Sequence, residues 1–71
     1  MDLTLDQALK KAVEAHKAGK NQEAERLYKA ILQAQPKHPD ANHNMGVLVF
    51  SVGKVQESLL FLKAALEANP S

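Results

Sequence analysis

The chain has 71 residues, no cysteine and a net charge of +1. A chain of this length forms one small domain, and without cysteine it forms neither a disulfide nor a thiolate metal site. Positive and negative residues are interspersed, which argues against nucleic acid as a partner because phosphate binding needs a clustered basic face.

The first predicted helix runs from about residue 5 to residue 18. Thr4 and Gln7 have the spacing of a capping box at its start. Apolar residues then recur at spacings of three and four, which predicts one apolar stripe. They are Leu5, Ala8, Leu9, Ala12, Val13 and Ala15. Gly19 stands where the helix needs a terminal residue in the left-handed conformation.

The second predicted helix starts after Asn21, a good N-cap residue, and carries Glu23 where the helix dipole favours an anion. Its apolar stripe consists of Ala24, Leu27, Tyr28, Ile31 and Leu32. Pro36 follows the last turn and cannot extend it.

The third predicted helix has Pro39 in its first turn, where no amide donor is needed, and runs to about Val52 before Gly53 ends it. The fourth helix runs from about residue 56 to residue 68, and Asn69 and Pro70 stop it. Since the loops are short, sequential helices are expected to pack antiparallel.

The stretch 19–36 recurs as 53–70, an offset of 34 residues. At this offset eleven of 37 residue pairs are identical, including Gly19 with Gly53 and Pro36 with Pro70. A repeat period of about 20–50 residues is typical of stacked repeat proteins. The sequence therefore predicts an all-α fold made of two helix-turn-helix units.

These residues resemble the tetratricopeptide repeat family, whose unit is a helix-turn-helix of about 34 residues. The matches occur in both copies: small first-helix residues Ala12 and Gly46, turn glycines Gly19 and Gly53, small second-helix residues Ala24 and Ser58, and closing prolines Pro36 and Pro70. Tyr28 matches the family's second-helix aromatic, whereas Ala8 and Asn42 replace its early tryptophan. The resemblance implies one domain with repeats at about 5–38 and 39–71.

The resemblance also implies a protein–protein interaction scaffold that holds a peptide or helix in the groove lined by the first helices, without catalysis or a cofactor. The expected groove residues are Leu9, Val13, His16, Lys17, Asp40, His43, Asn44, Val47 and Phe50. Some members clamp acidic chaperone tails with lysine and asparagine, but only Asn44 matches that clamp. Val13, Val47 and Phe50 favour an apolar or amphipathic segment instead. Ordinary packing is an equally weighted alternative for some of these side chains.

Three histidines raise the question of a metal site. His16, His38 and His43 contain no pair spaced by four residues, the spacing that puts two ligands on one helical face. We expect His38 in a loop and no bound metal. Glu23 and Glu57 occupy equivalent first-turn positions, where their expected role is local to each helix start.

Self-assembly is an alternative function. Four consecutive large apolar residues span more than one face of the fourth helix. Leu62 and Leu66 are expected to face the third helix, which leaves Leu59, Leu60 and Phe61 for self-association. A further alternative comes from the resemblance, since in similar bacterial proteins such repeats often precede a transferase domain.

A cytoplasmic location is the expected default. The apolar run of residues 47–50, which no other run of large apolar residues exceeds, is far too short to span a bilayer. Met1 is followed by Asp2 and by no apolar core of a secretory signal.

Overall fold

The computed structural model describes residues 4–68 and contains four helices there. They are α1 (Leu5–Lys17), α2 (Asn21–Ala34), α3 (Pro39–Ser51) and α4 (Val55–Ala68). No β-strand lies within residues 4–68, so the predicted all-α fold of helix-turn-helix units is confirmed. The predicted stop at Asn69 and Pro70 lies outside the described residues.

The capping box at the start of α1 is present as predicted. The Gln7 amide donates to Oγ1 of Thr4 at 3.1 Å, and the Thr4 amide donates to Oε1 of Gln7 at 3.0 Å. Two amides at the helix start thereby gain acceptors. The helix ends at Lys17, one residue before the predicted Ala18, which is its C-cap.

A glycine with positive φ turns the chain at the end of α1 and of α3, as predicted. The φ angles are 79° at Gly19 and 88° at Gly53. After α1, the Gly19 amide donates to the His16 carbonyl at 3.1 Å, and the Lys20 amide donates to the Ala15 carbonyl at 2.9 Å. This pair of bonds is a Schellman motif, which satisfies carbonyls that the helix end leaves free.

The turn after α3 repeats this arrangement. The Gly53 amide donates to the Phe50 carbonyl at 3.0 Å, and the Lys54 amide donates to the Val49 carbonyl at 2.9 Å. Both hairpins therefore turn through the same three-residue connection.

The prediction that Asn21 caps α2 is wrong. Lys20 occupies the N-cap position, and its carbonyl accepts from the Ala24 amide at 3.0 Å. The Lys54 carbonyl likewise accepts from Ser58 at 3.0 Å, so α4 begins one residue before the predicted start. Each of these lysines donates its backbone amide to the end of the preceding helix and accepts at its carbonyl from the start of the next. Helix α2 therefore begins without a hydrogen bond from a capping side chain.

Helix α3 has two buried faces. Ala41, Met45 and Leu48 share one face, and they belong to apolar clusters with residues of α1 and α2. Gly46 lies on the neighbouring face, where an added Cβ would meet Cγ of Leu62 at 2.8 Å. Since α4 contacts α3 alone among the described helices, α3 joins the second hairpin to the first.

The loop between the hairpins is held by two polar side chains at the start of α3. The Nδ1 atom of His38 accepts from the Ala41 amide at 3.2 Å, so His38 is the N-cap of α3. The amide of the buried Asn42 side chain donates to the carbonyls of Pro36 (3.0 Å) and His38 (3.1 Å). These bonds fix where α3 starts relative to α2.

Leu66 differs from its prediction. The side chain was expected to face α3, yet it is 67% exposed. Leu62 does lie against α3, at Gly46, and is half-buried. The apolar surface of α4 is therefore larger than the sequence predicts.

Gly53→Val should lower the free energy of unfolding by about 1–2 kcal/mol, because a β-branched residue enters the left-handed region at that cost. Apart from the chain neighbours of Gly53, no atom of residues 4–68 lies within 4 Å of a Cβ built there, so the loss comes from the backbone and not from a clash. Gly53→Asn is the control, since asparagine tolerates this conformation better. Urea unfolding of the three proteins measures the difference, and equal midpoints for Val and Gly would contradict the assigned turn.

Ser58→Ala should raise the free energy of unfolding by about 1 kcal/mol, since a buried hydroxyl without a partner carries a desolvation penalty. Ser58 is fully buried, and its Oγ has no hydrogen-bond partner among the described residues. Ser51→Ala is the control, because the Ser51 hydroxyl donates to the Leu48 carbonyl at 2.6 Å. Thermal unfolding distinguishes them: Ser58→Ala melts higher and Ser51→Ala does not.

Candidate functional site

One stripe of each hairpin's first helix lies beside the buried side of that helix, and its side chains are half-buried or exposed. Its members are Leu9, Val13 and His16 in α1 and their repeat equivalents His43, Val47 and Phe50 in α3. Together with Lys17, Asp40 and Asn44, these residues are the nine predicted groove residues, and we call them the groove face. Most of them are exposed or half-buried, so their side chains are accessible to a ligand.

Four of the nine converge. Val13, His16, Lys17 and Asn44 line a shallow concavity of about 240 Å³ between α1 and α3. Tyr28 of α2 also lines this concavity, although the sequence indicated only its place in an apolar stripe. The family's second-helix aromatic falls on this position and was the available signal for it.

The Tyr28 hydroxyl links the buried core to the groove face. The residue is fully buried, and its hydroxyl lies 3.4 Å from Nδ1 of His16. The two rings meet edge to face, with centroids 6.2 Å apart and an interplanar angle of 80°. Burial raises the pKa of Tyr28, and a hydrogen bond with the Asn44 side chain lowers it in part. Tyr28 thereby contacts the His16 imidazole and the Asn44 amide from the side of the core.

The part of the groove face near the end of α3 is apolar and exposed. Phe50 is 60% exposed and Val47 is 44% exposed. In α1 the equivalent residues are His16 and Val13, which are half-buried. The groove face therefore changes from mixed polar character over α1 to apolar character at the end of α3.

The remaining groove residues lie apart from this concavity. Leu9 is half-buried and packs against both apolar clusters, so ordinary packing describes it. Asp40 and His43 line a second concavity of about 480 Å³, together with Leu62 and Leu66 of α4. The structure thus divides the predicted residues between two surfaces.

The three histidines occupy separate places. His16 faces the concavity, His43 lies on the exposed side of α3, and His38 caps the start of α3. Within residues 4–68 no three metal-ligating side chains of His, Cys, Asp or Glu lie close enough to hold an ion.

The three predicted self-association residues differ in their exposure. Leu59 and Leu60 are 61% and 70% exposed. Phe61, by contrast, is half-buried and packs against the larger apolar cluster, because it points back toward the core of the hairpin. None of the helices described for residues 4–68 is long and apolar enough to cross a membrane.

The family model described as "Tetratricopeptide repeat" matches residues 15–71, which include the end of α1 and all later helices. No curated protein matches the chain.

Tyr28→Phe should make the melting temperature fall less steeply with rising pH in the alkaline range. Because the pKa of Tyr28 is raised in the folded state, the neutral hydroxyl contributes stability below its ordinary pKa of 10.0. That contribution is lost as the pH rises through the folded pKa. We expect the melting temperature of the unchanged chain to fall more steeply above about pH 10 than that of Tyr28→Phe. Parallel slopes would contradict this linkage.

Proposed function

Since the chain belongs to the tetratricopeptide repeat family, whose members are generally protein–protein interaction modules, we propose that it binds a peptide or helix of a partner protein on its groove face. The family is typically a non-enzymatic scaffold, and we extend that property to this chain. A cytoplasmic location and a place before a transferase domain stay predictions.

The observation that carries this proposal is the convergence of Val13, His16, Lys17 and Asn44 on one concavity. These side chains come from two helices of different repeats, so only the stacked fold brings them together. The concavity is shallow and open, which suits a segment lying across α1 and α3 better than an enclosed small molecule.

The side chains of the groove face indicate the chemistry of the ligand. Val47 and Phe50 offer apolar contact, and an apolar side chain of the ligand gains free energy by covering them. In the concavity Lys17 supplies a positive charge and Asn44 supplies an amide donor and acceptor. A segment with apolar residues on one side and a carboxylate or backbone carbonyl near Lys17 satisfies both sets of contacts.

Self-assembly is a second candidate function. It is favoured by the exposure of large aliphatic side chains on α4, where Leu59, Leu60 and Leu66 are each more than half exposed. Exposed aliphatic side chains in such numbers on one short helix are typical of an interaction surface.

Phe50→Ser should weaken peptide binding by about tenfold or more, because an exposed aromatic at an interface is a frequent hot spot. Peptides are selected from a displayed random library against the immobilised chain, and the affinity of an enriched peptide is measured by fluorescence anisotropy. Arg26→Ser is the matched control, since Arg26 is exposed on the outer side of α2 with Gln22 and Lys29.

The expected order is a large loss for Phe50→Ser, a smaller loss for His43→Ser and an unchanged dissociation constant for Arg26→Ser. A larger loss for Arg26→Ser than for Phe50→Ser would overturn the groove proposal and place binding on the outer side of α2.

A further inference from the structure

Four aliphatic residues form a continuous stripe along α4. Val55, Leu59, Leu62 and Leu66 are separated by four, three and four residues, so they lie on one side of the helix. Val55 is 50% exposed, Leu59 61% and Leu66 67%, while Leu62 is half-buried. We call these four residues the α4 stripe.

The first repeat reveals what kind of surface this stripe is. The equivalent residues of α2 are Asn21, Glu25, Tyr28 and Leu32, and all four are half-buried or buried. They lie on the helix that packs against α3. The α4 stripe is therefore the second copy of an interface that the molecule already uses once. In the second copy only Leu62 has a neighbour, Gly46 of α3, and no further helix within residues 4–68 covers the stripe.

Leu60 does not belong to this surface. Its equivalent in the first repeat is Arg26, which stays exposed even though α3 packs on α2. Leu60 and Leu59 are thus neighbours in sequence with similar exposure and different positions relative to the repeat interface.

The outer surface of α1, at the positions equivalent to the interface residues of α3, does not fit the α4 stripe. In the first repeat interface, α3 contributes Ala41, Met45 and Leu48. The equivalent residues of α1 are Gln7, Lys11 and Glu14, and all three are exposed. Stacking one copy head to tail on another would bury Lys11 and Glu14 against leucine side chains, which is unfavourable for charged groups.

We propose that two copies of this chain pair through their α4 stripes, antiparallel about a two-fold axis. The spacing of four, three and four reads the same in both directions, so an antiparallel copy places Leu66 of the partner subunit on Val55 and Leu62 of the partner subunit on Leu59. The stripe contains no charged residue, so no like charges meet along it. The two-fold arrangement closes on itself and stops at a dimer.

This inference rests on the proposed self-assembly and assigns the contact between the two copies to the α4 stripe. Leu62 and Leu66 also line the concavity of about 480 Å³ beside α3, so this concavity lies along one edge of the proposed interface. The groove face and the α4 stripe adjoin at this concavity, which Asp40 and His43 also line. Val47 and Phe50 lie further along α3 and do not line it, so the dimer leaves this apolar part of the groove face open.

Sedimentation equilibrium of the 71-residue chain tests the pairing. We expect a species of twice the 7.8 kDa chain mass at high micromolar concentration. Leu59→Lys should raise the dimer dissociation constant by about tenfold or more, whereas Leu60→Lys should leave it within about twofold. Both side chains are exposed in the monomer, and unchanged circular dichroism confirms that each variant folds.

The outcomes separate the stripe from self-assembly in general. A strict monomer would overturn self-assembly itself and leave the stripe to a helix of another protein or to a following repeat. A dimer that Leu60→Lys disrupts and Leu59→Lys does not would overturn the stripe alone. A ladder of larger species would show head-to-tail stacking and also contradict the proposal. Peptide affinity is measured in parallel and should be the same for both lysine variants.

Disulfide trapping tests the antiparallel order, because the chain has no native cysteine. In an antiparallel pair, mixing Val55→Cys with Leu66→Cys should give a covalent heterodimer rapidly. Val55→Cys alone should react slowly, since the two copies of that residue are about 16 Å apart along the helices, too far for a disulfide. Faster trapping of Val55→Cys alone than of the mixture would indicate a parallel pair and overturn the antiparallel proposal.

Discussion

Helix α3 must satisfy two neighbours at once, and the rest of the structure depends on this constraint. One face, with Met45, packs on the first hairpin, and the adjacent face, with Gly46, lets α4 approach. Two buried faces leave little surface for charge, which explains why Asp40 is the only Asp, Glu, Lys or Arg in α3. Loss of either face would detach one hairpin, because α4 contacts α3 alone among the described helices.

Consecutive residues of one helix therefore serve three different surfaces. In α3, Ala41 meets the preceding repeat, Asn42 is buried beside it and holds the loop, and His43 faces outward. The same order in α1 gives Gln7, a polar residue, at the position that would meet a preceding repeat. The outer surface of α1 is consequently polar and that of α4 is aliphatic, so the two outer surfaces of the described repeats differ in chemistry.

The sequence predicts those features that a spacing pattern encodes. The 34-residue period, the capping box at Thr4 and the turn at Gly53 all follow from residue type and position. The sequence also places Val13 and Asn44 on one face, and the structure has both lining the same concavity. The roles of Asn42 and His38 do not follow, because their partners are backbone groups that leave no mark on the sequence. The exposure of Leu66 does not follow from the sequence either, since the apolar pattern of one helix does not say which neighbouring helix covers it.

The double use of Lys20 and Lys54 has a consequence for how such a chain changes length. In each hairpin one lysine donates its amide to the helix behind it and offers its carbonyl to the helix ahead. The turn has no spare residue, so an inserted residue would separate these two roles and uncap one helix end. An insertion or deletion within a hairpin turn is thus unfavourable, so adding or removing a whole hairpin keeps these caps where a change within a turn does not.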